Sequence, residues 1–79
     1  MIFKMNEKKS LSNETNNKII TKIIKNGTKK EKILLTHNIN LDDKNFLLLS
    51  QELDFDIRLS LIGNKAIPFR ILSKMSTKL

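Results

Sequence analysis

The sequence predicts a small α+β domain: two or three N-terminal helices followed by an extended β-hairpin. Three observations lead there. Ile19, Ile20, Ile23 and Ile24 recur with the helical period, and the stripe ends at Gly27. Thr28 and Glu31 then stand at the capping-box spacing of a second helix. From Phe55 onward the apolar period shortens to two, on both sides of the turn pair Gly63-Asn64. The 79 residues allow one domain, and chains of this size bury only about 60% of their unfolded surface.

Composition excludes more than it specifies. Without cysteine there is no disulfide framework and no thiolate metal site, and one histidine leaves carboxylates as the only other ligands. The longest apolar run, Phe46–Leu49, falls far short of the ~20 residues that span a bilayer. No GxGxxG or P-loop occurs, and the acid pairs Asp42/Asp43 and Asp54/Asp56 have no nucleophile beside them. Neither catalysis nor a cofactor nor a metal is expected. Fifteen Lys+Arg against eight Asp+Glu give a net charge of +7. The charge is blocked: residues 1–32 and 57–79 are basic and residues 33–56 acidic. Two basic blocks point to a polyanion. The excess of Lys, Asn and Ile reads as the mark of an A/T-rich genome.

Residues 1–12 read as a flexible basic tail with no leader, and residues 13–79 as a single RNA-binding domain. The first helix is expected over 14–26, capped by Ser12 or Asn13 and closed by Gly27, with Lys18, Lys22 and Lys25 on the face beside the isoleucines. The second is expected over 29–36. Its first turn holds Lys29 and Lys30, where the helix dipole disfavours cations unless an anion lies near. Asp42 or Asn40 caps a third helix over 42–53, with Phe46, Leu49 and Leu53 on one face. His37, alone in a polar turn, reads as a surface residue. The hairpin is expected over 55–72, with Pro68 placing its second strand at an edge. Residues 73–79 look like the start of a further helix.

Two stretches resemble small-subunit ribosomal protein seven. Lys22-Ile23-Ile24-Lys25-Asn26-Gly27, then Lys29-Lys30 and Glu31-Lys32-Ile33, are similar to that family's helix, D/N-G-K-K turn and second helix. Phe55-Asp56-Ile57-Arg58, Ile62-Gly63 and Ile67-Pro68-Phe69-Arg70-Ile71 resemble its β-hairpin, V-E-V-R…V-G-G…V-P-V-E-V. Ser60 and Leu61 replace adjacent arginines, and the chain covers only the N-terminal part of that mainly helical fold. The resemblance implies a split or reduced organellar form in the mitochondrial matrix. Such a protein binds the 3′ major (head) domain of small-subunit rRNA, with its hairpin toward the exit-site tRNA and mRNA path. Its partners would be that rRNA, neighbouring head proteins and a second chain carrying the missing C-terminal helices, with no membrane involved. The RNA-binding residues it implies are Lys18, Lys22, Lys25, Lys29 and Lys30 from the helices, and Arg58, Lys65 and Arg70 from the hairpin. Two rivals are a DNA-binding regulator whose second helix enters a groove and a protein-interaction subunit using the third helix's leucine face.

Overall fold

The computed structural model describes the backbone of residues 5–12 and 14–76, and the side chains of all of these except Asn6 and Ser76. They form six short helices: α1 (Met5–Leu11), α2 (Asn17–Asn26), α3 (Lys29–Leu35), α4 (Asp43–Ser50), α5 (Phe55–Ile62) and α6 (Phe69–Ser76). No strand occurs among the described residues.

The first half of the chain follows local rules closely. Ile20, Ile23 and Ile24 of α2 are buried, and the side chain of Asn16, rather than Ser12 or Asn13, accepts the N–H of Ile19. At α3 both arms of the capping box are present: Glu31 N–H donates to Thr28 Oγ1 at 3.1 Å and Thr28 N–H to Glu31 Oε1 at 3.0 Å. Asp42 caps α4 through the N–H of Asn45. Gly27 is extended rather than left-handed (φ −77°, ψ 166°), so conformational freedom does not explain it. Space does: a Cβ there would collide with the Ile23 carbonyl oxygen, which accepts Gly27 N–H at 2.6 Å, and with Glu31 Oε1. Gly27→Ala is expected to destabilise the fold by about 1–3 kcal/mol, the usual cost of overpacking. A urea midpoint equal to that of the wild type would contradict this.

Two expectations fail. Where residues 1–12 read as a flexible tail, Met5–Leu11 form α1, which packs on α3 with Glu7 and Ser10 buried; residues 1–4 lie outside the described residues. Where a hairpin is expected over 55–72, the chain forms α5, a loop and α6, so the fold is all-helical rather than α+β. The reason lies in Ile57 and Leu61. Four residues apart, they satisfy the alternating period and the helical one alike. The structure buries these two and leaves Phe55 and Leu59 60% and 52% exposed, which a strand face would not do. Asp54 supplies the missing start signal, accepting the N–H groups of Asp56 and Ile57. Gly63 has negative φ (−79°), which excludes the two-residue hairpin turns. Pro68 is a helix opener, not an edge-strand residue: its carbonyl accepts the N–H of Ile71 and Leu72. The further helix expected at 73–79 is the end of α6, and residues 77–79 lie outside the described residues.

The helices stack in two rows. α1, α3 and α5 pack in one, α2, α4 and α6 in the other, and α1 meets α2, α2 meets α3, α4 meets α5 and α5 meets α6 across the space between. The body measures 36 × 21 × 21 Å. Ile23, Leu49 and Met75 form one buried line through α2, α4 and α6, and Leu35 and Leu61 face it from α3 and α5.

The stack has a period. Asn38 Nδ2 donates to Ser12 O at 2.8 Å and Asn64 Nδ2 to Asn38 O at 2.9 Å, each pair 26 residues apart. The second donor of each amide also goes to a carbonyl one repeat back, Ser10 O from Asn38 and Thr36 O from Asn64. Each Oδ1 accepts the N–H two residues on, from Asn40 and Ala66, at 2.7 Å. The caps Asn16 and Asp42, and Thr28 and Asp54, are separated by the same interval. A nearest-neighbour stack of this kind is a helical solenoid. Its buried asparagines carry as much of the architecture as its core.

Candidate nucleic-acid interface

The two rows treat their cations differently. In the α1/α3/α5 row the three lysines of α3 are paired with carboxylates, whereas Lys8 and Lys9 of α1 form no ion pair among the described residues. Lys29 Nζ lies 2.9 Å from Asp56 and 3.2 Å from Asp54; Lys30 Nζ lies 3.7 Å from the buried Glu7; Lys32 Nζ lies 3.3 Å from Glu52 in the α4–α5 connection. Hydrogen bonds to Asp56 and Asp54, and then their charges, raise the Lys29 pKa above 10.5. Partial burial pushes the Asp54 carboxyl up, but the N–H of Ile57, the hydrogen bond and charge of Lys29 and the N–H of Asp56 outweigh it and hold the group below 3.8.

These directions set a pH window. The Asp54 contribution is present above its ordinary value and is lost as pH falls through its lower folded value. The Lys29 contribution is present below 10.5 and is lost as pH rises through its higher folded value. Asp54→Asn keeps a competent cap but cannot titrate. Its melting temperature is expected to lie below that of the wild type at neutral pH and to converge with it in strong acid. Parallel curves down to pH 2 would contradict the pairing.

In the other row the cations face solvent. Lys18, Lys22 and Lys25 share the outer face of α2, which holds no acid, because positions i, i+4 and i+7 align along a helix. None of the three forms an ion pair among the described residues. One repeat on from Lys18 stands the exposed Lys44 of α4, and one further stands Arg70 of α6. Lys18, Lys44 and Arg70 therefore form a ladder with one cation per helix, and neighbouring helices pack roughly 8–10 Å apart. Arg70 contacts Asp43, but both side chains are about two-thirds exposed. Such a pair contributes little and releases its arginine readily to a stronger anion.

Of the residues expected to bind RNA, the structure brings Lys18, Lys22, Lys25 and Arg70 onto one face. Lys29 and Lys30 stand in the opposite row, engaged with acids of neighbouring repeats, so no bound anion is needed to explain their place at a helix start. Lys65 is exposed in the loop between α5 and α6, and Arg58 turns inward. With no hairpin present, the last three do not form an arm. Lys44 was not among the candidates. The 26-residue interval that joins it to Lys18 is visible in the spacing of Asn38 and Asn64 once that interval is looked for.

The second helix of the DNA-binding reading, α3, lies between α1 and α5 in its row. On α4 Phe46 and Leu49 are buried, whereas the helix ends at Ser50 rather than at 53 and Leu53, expected on the same face, is 95% exposed. The isoleucine stripe of α2 is covered by the chain itself. No group of His, Asp and Glu among the described residues could hold a metal ion, and no described helix is long and apolar enough to cross a membrane. Comparison with protein-family models, curated proteins and solved structures finds no match to this chain.

Proposed function

We propose that this chain is a small helical-repeat module that binds the phosphate backbone of structured RNA through the outer face of α2, α4 and α6. The observation that carries the reading is the contrast between the cations of α3 and those on the outer face of α2 and α4. Carboxylates occupy the cations of α3, whereas Lys18, Lys22, Lys25 and Lys44 stand unpaired on one face. Neutralising phosphates with such a face releases counterions, which supplies affinity without base contacts. Duplex or folded RNA is recognised largely through phosphate, sugar and shape, and that mode needs no Tyr or Trp platform, which the chain lacks. The chain binds rather than catalyses: its buried polar side chains Asn38, Asn45 and Asn64 are committed to structural hydrogen bonds.

The narrower reading, a constituent of a mitochondrial small ribosomal subunit, now rests on residues 17–34 alone, since its hairpin half has no counterpart in the fold. A direct test is fluorescence anisotropy with a labelled RNA hairpin at 50 mM salt, against matched duplex DNA and a neutral polysaccharide. Binding to RNA that weakens steeply with added salt is expected. Equal binding to the polysaccharide, or none to RNA, would overturn the proposal, and tighter binding to the DNA would move it to that polymer. Preferential association with purified small subunits would narrow the partner to rRNA.

A further inference from the structure

The stack has a direction, from a head formed by α1 and α2 to a tail formed by α5 and α6, and each helix grips the next through fixed positions. Glu7 of α1 pairs with Lys30 of α3, and Lys29 of α3 pairs with Asp54 and Asp56 of α5. In the other row Asn17 of α2 bonds Asn45 of α4, and Asp43 of α4 pairs with Arg70 of α6. Moved on by the 26-residue interval, these four polar positions become Phe55, Leu59 and Phe69. No described helix stacks beyond α5 and α6, and all three side chains are exposed, Phe69 by 80%. The uncovered end of a repeat stack is ordinarily polar. An apolar one marks a contact surface.

The head of the stack does not fit that face. Within the chain, Ser60 reaches back to Thr36 and Arg70 to Asp43. The corresponding head residues are Lys8 and Lys18, and the corresponding tail residues are Ile62 and Phe69, so each cation would meet an apolar side chain. Ser12 also replaces the asparagine that at 38 and 64 donates to the preceding repeat, so the ladder would not run on. A second tail fits better. It sets apolar groups against apolar groups, and Phe55, Leu59 and Phe69 bring no charge into the contact.

We propose that the outer face of α5 and α6 joins two copies of this chain tail to tail about a twofold axis, with Phe55, Leu59 and Phe69 at the centre of the contact. Such a pairing closes at two, because each copy has one tail. Both helices have eight residues and are about 12 Å long. The face is therefore smaller than the ~800 Å² per partner of a standard interface, and the dimer is reversible, with a Kd of roughly 10–100 μM. Its driving force is apolar burial, and two chains of charge +7 repel each other, so added salt tightens it. RNA binding weakens with salt instead. α2 lies at the other end of its row from α6, so its lysines stay free in the dimer, and dimerisation does not depend on RNA binding.

Sedimentation equilibrium of the full chain without RNA, from about 5 to about 500 μM, reads the mass directly. A rise from 9.2 kDa to twice that value and no further is expected, with tighter association at high salt than at low. Phe55→Lys and Phe69→Asp restore the residues found one repeat earlier, at exposed sites, so each monomer is expected to keep the wild-type melting temperature. Each is expected to weaken association by about tenfold or more, as loss of a central aromatic contact does. Amide shifts of the wild type over the same dilution give a readout independent of how the variants fold. They are expected to move at Phe55, Leu59 and Phe69 and to stay fixed at Lys8 and Lys18. A monomer at every concentration, association unchanged in either variant, or shifts centred on Lys8 and Lys18 would overturn the proposal. So would a mass that grows past the dimer, which is the mark of head-to-tail stacking.

Discussion

Asn38→Asp is expected to leave the chain largely unfolded at neutral pH. The wild-type amide spends both N–H donors on Ser10 O and Ser12 O and its oxygen on Asn40 N–H, in a position with no exposed surface. Aspartate has the same shape but no donors. It would strand two carbonyls, at about 1–3 kcal/mol each, and set a charged group against them at a further cost of several kcal/mol. A domain of this length has a total stability of about 5–10 kcal/mol. The substitution therefore consumes most or all of it. Asn64→Asp, which strands Thr36 O and Asn38 O, is expected to behave the same way. Asn40→Ala is the control: its side chain sits at the surface on Thr15 O, and about 1 kcal/mol or less is expected. Far-UV circular dichroism at pH 7 reads all three. A folded Asn38→Asp protein with the wild-type melting temperature would mean the asparagine ladder does not hold the stack.

The second large effect is on binding. Replacing Lys18, Lys22 and Lys25 together by glutamine removes the acid-free face of α2 while leaving Ile20, Ile23 and Ile24 in place. Each lost phosphate contact lowers the slope of log K against log salt by about 0.7–0.9, so a reduction of roughly two to three is expected, with about a hundredfold loss of affinity near 0.1 M salt. Lys29→Gln with Lys30→Gln removes almost as much charge from the chain. Because those ammonium groups already sit on Asp54, Asp56 and Glu7, the slope should change by less than about one. A net-charge mechanism predicts similar losses from both variants, so the contrast separates a face from a mere excess of lysine.

Much of the first half of the fold was legible because local signals agreed there. The isoleucine stripe, the capping box at Thr28 and the cap at Asp42 each specify a helix without help from the rest of the chain. The second half was misread because Phe55–Ile62 is nearly uniform in hydrophobicity around its axis. Alternation and helical spacing both fit it, and stacking on α3 and α4 decided the outcome. α1 was missed for the opposite reason: a polar seven-residue segment has little signal of its own and is ordered by its docking on α3. The asparagines show a third kind of error. Read as codon bias, they include the residues that cap α2, bridge α2 to α4 and tie each repeat to the last. The shared outward face of the α2 lysines follows from periodicity alone. The pairing of Lys29 and Lys30 with distant acids was invisible, because it depends on which residues the repeat brings together.

Lysine acetylation footprinting with and without bound RNA reads the contrast between the lysines of α3 and those of α2 and α4 most directly. Lys18, Lys22, Lys25 and Lys44 are expected to react readily in the free protein and to be shielded in the complex, while Lys29, Lys30 and Lys32 keep the same reactivity in both. Shielding centred on Lys29, Lys30 and Lys32, or spread evenly over every lysine, would contradict the account.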